Sequence, residues 1–134
     1  MTWKEENSVG VEEIDNQHKT LMELINELFA IYSNKQFDAN HVESTFKKLA
    51  DYTDHHFSTE EHYFNLYNYP KKEEHIKIHG QYREKVDGMK KEYNEKKDPN
   101  ILFKLSNLLN EWWTWHINNV DKEYTAYFHA NGLR

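Results

Sequence analysis

Cysteine is absent from all 134 residues. That excludes disulfides, thiolate metal sites, iron–sulfur clusters and thiol nucleophiles together. No run of about 18 apolar residues occurs, so the sequence offers no transmembrane helix. A basic excess is missing too: 17 Lys and Arg face 23 Asp and Glu, for a net charge of -6. Phosphate binding needs a basic stripe, which argues against nucleic acid, and an acidic chain is a poor match for an anionic membrane surface. The segment Met1-Thr2-Trp3-Lys4-Glu5-Glu6 lacks the apolar core of a secretory signal and carries acids where transit peptides avoid them. These absences together lead to the expectation of a cytoplasmic protein.

Breakers are scarce as well, with 4 glycines and 2 prolines, while aromatic residues make up 15%. A charged, aromatic-rich chain with few breakers predicts long helices and few turns. Apolar residues recur at helical spacing in four stripes. The first is Ile14, Leu21, Ile25, Leu28, Tyr32, and the second Val42, Phe46, Leu49, Thr53 with Asp38 as N-cap. The third contains Tyr82, Val86, Met89 and Tyr93, and the fourth Leu102, Leu105, Leu109 and Trp112. Asp98-Pro99 is a strong start signal for the fourth, and Pro70 suits the first turn of the third. No period-2 alternation marks a strand. The expectation is one all-α domain over 1–134: an up-down-up-down four-helix bundle. Its parts are an irregular arm over 1–11, helices over about 12–33, 39–67, 70–95 and 99–118, and a short carboxy-terminal helix over 121–129.

Nine histidines are the other excess, and their phase decides what they mean. His18 falls in step between Ile14 and Leu21, and His56 lies seven residues, about two turns, from Leu49. Glu60 follows His56 by four, His75 and His79 form an i,i+4 pair on one face, and His116 lies four beyond Trp112. Asp121 lies five past His116, where the fourth helix ends. His41, His55, His62 and His129 fall off the stripes and are expected on the solvated surface.

A single core histidine is usually a hydrogen-bonded packing residue. Five, with two carboxylates, are another matter. Buried polar groups without partners cost ~1–3 kcal/mol each, so seven rival a whole domain's stability of ~5–15 kcal/mol. A cation must compensate. The donors exceed a four-ligand zinc site, and calcium and magnesium want oxygen-rich shells. Two ions fit, with Glu60 and Asp121 bridging and imidazoles completing the shells. Of twelve octahedral positions the side chains fill nine and a bridging oxide or hydroxide two more. One stays open, which points to a small ligand; nitrogen and oxygen donors of this kind suit iron, and manganese less well. Leu21, Phe57, Trp112, Trp113 and Ile117 are the large apolar residues next to these ligands or one turn from them.

The order His18, His56-x-x-x-Glu60, His75-x-x-x-His79, His116-x-x-x-x-Asp121 resembles the hemerythrin signature, that of the bacterial hemerythrins in particular. The strings Ile14-Asp15-Asn16-Gln17-His18-Lys19, His56-Phe57-Ser58-Thr59-Glu60-Glu61 and Asn68-Tyr69-Pro70 support it over nearly the whole chain. The resemblance implies two Fe ions bridged by Glu60, Asp121 and an oxo or hydroxo group. His75, His79 and His116 would hold one iron, and His18 and His56 the other, which keeps the open position. It implies reversible O2 binding for storage, transport or delivery, without net chemistry, with small anions such as azide as further ligands. Reversibility of that kind requires a dry apolar pocket at the open position, and Leu21, Phe57, Trp112, Trp113 and Ile117 are the candidates for its wall. Tyr124 resembles a family aromatic near the open iron, while Asp15 and Gln17 flank His18 and are candidates to orient ligand rings, Asp15 equally to cap the helix. Trp113 departs from the pattern, since the family usually has a smaller aliphatic residue there, commonly Leu. An indole at that place narrows the pocket, blocks an access route or rotates away. The alternative functions are a di-iron oxidase, peroxidase or nitric-oxide-handling enzyme, or an O2 sensor acting through a partner. Ferritin-like oxidases use carboxylate-dominated shells with Glu-x-x-His spacing, which this sequence lacks. Charged, mixed outer faces such as Lys47-Lys48 and Lys90-Lys91-Glu92 favour a monomer.

Overall fold

A computed structural model describes residues 2–134. Four long helices dominate it: α1 (Glu12–Ser33), α2 (Ala39–Leu66), α3 (Lys72–Lys96) and α4 (Pro99–Trp115). A short α5 (Thr125–Ala130) closes the chain. No strand occurs among the described residues, so the fold is an all-α four-helix bundle. α1 packs on α2 and α4, and α3 packs on the same two, which closes a ring of four neighbours. Short connections force consecutive helices to run antiparallel. No helix among the described residues is long and apolar enough to cross a membrane.

Local chemistry sets the ends. The Asp38 side chain accepts the His41 backbone N–H at 3.0 Å, and Asp98 accepts that of Asn100 at 3.0 Å, with Pro99 at the start of α4. Pro70 does not open α3, contrary to the expectation from sequence. Asn68 takes a left-handed conformation (φ 50), and Lys72 N–H closes a turn on the Tyr69 carbonyl at 3.2 Å. Pro70 sits inside that turn at the position its fixed φ favours. The helix therefore begins at Lys72.

The arm also differs from the expectation of an irregular segment. It holds a short 3-10 turn over Glu5–Asn7 and is fastened to the bundle. Asp15 accepts the Ser8 hydroxyl at 2.5 Å and the Val9 N–H at 2.8 Å, so it tethers the arm rather than orienting a ring. Thr125 donates to the Val9 carbonyl at 2.7 Å. His129 is half-buried, not solvated, because its Nε2 lies 2.7 Å from the Gly10 carbonyl. Gly10 is required there: its φ is 74, and a Cβ would stand 2.8 Å from that same nitrogen. His55 and His62 are exposed, as their phase predicts, and His41 is partly covered.

The core divides along its length. Leu28, Ile31, Val42, Phe46, Tyr93, Leu102 and Leu105 fill the half where α1 and α3 end. Ile31 rather than Tyr32 completes the α1 stripe. Buried polar residues are concentrated in the other half, where α1 and α3 begin and α2 and α4 end.

Candidate metal centre

Each wall of the bundle delivers its in-phase polar residues to one layer. His18 comes from α1, His56 and Glu60 from α2, His75 and His79 from α3, and His116 from the end of α4. Six of the seven candidate ligands are 0% exposed, and His75 is 3% exposed. They fall into two groups whose donor atoms lie within 4.8 Å of one another: Glu60, His75, His79, His116, and His18, His56, Asp121.

Asp121 needs a local explanation. Five residues advance an α-helix by about 500°, which would leave His116 and Asp121 about 140° apart. The backbone avoids this by widening into a π-helical turn over His116–Val120, in which Asp121 N–H bonds the His116 carbonyl. That turn and the following 3-10 segment, Asp121–Tyr124, replace the straight extension of α4 to 118 expected from sequence. The i,i+5 bond carries both side chains to the same centre.

The carboxylates link the two groups. Asp121 Oδ2 lies 3.0 Å from His18 Nε2, while Oδ1 lies 3.1 Å from His75 Nε2 and 2.8 Å from His116 Nε2. Glu60 Oε1 is 3.0 Å from His56 Nε2 and 3.4 Å from His79 Nε2, and Oε2 is 3.8 Å from His75 Nε2. His18 Nε2 and His56 Nε2 approach to 3.1 Å.

Distances this short suggest hydrogen bonds, yet most of these atoms make none. Both oxygens of Glu60, both of Asp121, and Nε2 of His75, His79 and His116 are buried without a hydrogen-bond partner. Lone pairs that converge on a common volume, rather than on each other's protons, are what a cation requires. The donor set fits a pair of metal ions on this observation alone.

Electrostatics agree. Burial and the neighbouring Asp121 push the Glu60 carboxyl up, but His56 and His79 outweigh them and hold it well below the carboxylate range. Burial likewise opposes ionisation of Asp121, and His116, His18 and His75 override it. Burial lowers His56. For His79, burial works downward but the Glu60 and Glu61 carboxylates beside it prevail, and the imidazole is pushed up to about 9. Without metal the cluster thus favours ionised carboxylates among buried imidazoles.

Trp113, Phe57, Trp112 and Tyr124 pack against imidazoles of the cluster. Trp113 is 0% exposed, with its ring centroid 5.6 Å from His18 and 5.5 Å from His56. It does not rotate away. Phe57 stacks on His79 at 3.7 Å and Trp112 on His116 at 4.1 Å, so both cover the three-imidazole side. Tyr124 also lies on that side, 5.9 Å from His75, with burial holding its phenol well above its ordinary range. Leu21 and Ile117 are 0% exposed, and Trp115 points outward at 59%. Gln17 carries a role that its place beside His18 only hints at. Its Oε1 accepts from His56 Nδ1 at 2.7 Å, and its amide donates to Thr59 at 3.1 Å.

Known proteins share this pattern. The profile of the hemerythrin HHE cation binding domain matches residues 9–128. The chain belongs to the hemerythrin family. Among its curated relatives, bacteriohemerythrin of Pseudomonas aeruginosa is 31% identical over 124 residues, 92% of this chain and 78% of the relative. Bacteriohemerythrin of Clostridium acetobutylicum is 30% identical over 125 residues, covering 91% and 96%. Myohemerythrin of Theromyzon tessulatum is 29% identical over 122 residues, covering 91% and 88%. A hemerythrin chain with these buried imidazoles and carboxylates is a metal-binding domain.

Proposed function

We propose that the seven residues hold two iron ions and that the protein binds O2 reversibly, as a carrier or store rather than an enzyme. His75, His79 and His116 would hold one ion and His18 and His56 the other, with Glu60 and Asp121 available to both. Support for sharing comes from the carboxylates, each of which reaches imidazoles of both groups. Support for a small ligand comes from the asymmetry of the donors, which is the observation that carries this reading. Three imidazoles serve one side and two the other, so one position lacks a protein donor. When bound, a pair of irons would supply the electrons that reversible O2 capture needs.

The chain's own groups prepare that position. Gln17 accepts the Nδ1 proton of His56, which fixes the tautomer and leaves Nε2 free to face the centre. Trp113 packs on His18 and His56 and keeps water from the two-imidazole side. Tyr124 stays protonated, since burial disfavours its anion, and adds no charge to the site. Small anions such as azide would compete for the same place. The cysteine-free composition suits a cytoplasmic setting.

The test is anaerobic loading with Fe(II), admission of O2, and a return to argon. A carrier gains a visible absorption band and loses it over repeated cycles. One-way oxidation with release of hydrogen peroxide would refute the carrier and favour an oxidase.

A further inference from the structure

A buried cation site needs an entry path, and the seven candidate ligands differ in one respect that bears on it. Six have no exposure, while His75 keeps 3%. His75 also lines a surface cavity of about 160 Å³ with Tyr69, Lys71, Glu74, Asn119 and Glu123. Its Nε2 is buried and unpartnered, 3.1 Å from Asp121 Oδ1. The imidazole therefore stands between the cavity and the cluster. A second cavity, of about 110 Å³ and lined by Thr53, Asp54, Tyr82 and Asp87 among others, includes none of the seven.

The mouth has the charge a cation port requires. Glu74 is exposed, and Glu123 is 46% exposed and paired with Lys71, itself 58% exposed, at 3.1 Å. An ion pair this wet is weak and opens readily. Carboxylates at a cleft raise the local cation concentration, and a lysine beside them offsets it.

We propose that this cavity is the loading port for divalent iron: Glu74 and Glu123 draw the ion in, Lys71 latches the mouth, and His75 hands it inward. The inference rests on the ligand assignment above. In it His75 changes partners as an ion passes, and no covalent or redox step occurs.

The test uses the full-length metal-free protein and Co(II) as a spectroscopic probe, with stopped-flow uptake and chelator-driven release at low salt. The double variant E74Q/E123Q should slow uptake about tenfold. Release should slow by the same factor, because a port lowers the barrier in both directions and leaves affinity unchanged. K71A should speed both. E74Q/E123Q should still bind two ions per chain, and D54N/D87N at the other cavity, with the same charge change, should leave both rates alone. Uptake indifferent to E74Q/E123Q, equal slowing by D54N/D87N, or a change in affinity with release unaltered would each overturn the port. A parent protein that takes up no pair of ions overturns the centre and the port with it. A parent that takes up two, at rates these variants do not alter, overturns the port alone.

Discussion

Stripping metal from this protein should destabilise it steeply, and its response to pH should then reverse. Both oxygens of Glu60 and of Asp121, and the Nε2 atoms of His75, His79 and His116, are buried without partners. A ligand that binds only the folded state, at a thousand times its dissociation constant, adds about 4 kcal/mol. Two ions add roughly 8 kcal/mol, and at about 4 °C per kcal/mol for a domain of this length that is on the order of 30 °C in Tm. The pH arm follows from His79, pushed up to about 9 from 6.5, despite burial, by the Glu60 and Glu61 carboxylates beside it. A raised imidazole stabilises the fold fully below pH 6.5 and loses that contribution as pH climbs through 9. The loss is on the order of 3 kcal/mol. Metal-free protein should therefore become less stable from pH 6.5 to 9. Metal-loaded protein should not, because protons compete with ions for the same nitrogens and loading improves as they leave. Thermal melts of chelated and loaded samples across that range decide the matter. Equal melting temperatures, or the same pH slope in both samples, would refute the argument that these side chains converge to hold a cation.

Other substitutions probe single parts. Glu60→Ala should abolish two-ion stoichiometry by removing the carboxylate that reaches both His56 and His79, whereas His62→Ala, at an exposed position, should leave it intact; metal analysis reads both. Gln17→Ala strands the buried Nδ1 of His56 and should cost ~1–3 kcal/mol in urea denaturation. Trp113→Leu empties part of the space beside His18 and His56, and should cost about 2 kcal/mol while speeding azide binding to the iron-loaded protein. Unaltered azide kinetics would show that the indole does not wall that position.

Much of this layout was legible from spacing alone. His56 and Glu60 could be separated from His55 and Glu61 because a helix presents one face every 3.6 residues. In the structure His56 and Glu60 are buried and His55 is exposed. The same rule failed to explain Asp121, since its five-residue offset from His116 makes sense only once the backbone widens into a π turn. That offset was visible, but the turn behind it was not. Other features depend on groups far apart in sequence. His129 looked solvated because nothing near it in the chain reveals the Gly10 carbonyl 119 residues away. The Lys71–Glu123 pair, 52 residues apart, is equally hidden until α3 and the π turn lie side by side. Pro70 misled because a proline suits a tight turn as well as a first helical turn, and Asn68 adopted the conformation that selects the former.

The central claim is that one chain holds two ions through seven named side chains, and counting iron tests it most directly. Metal-free protein titrated anaerobically with Fe(II) and freed of excess should retain two irons per chain. Retention of one iron or none would contradict the account.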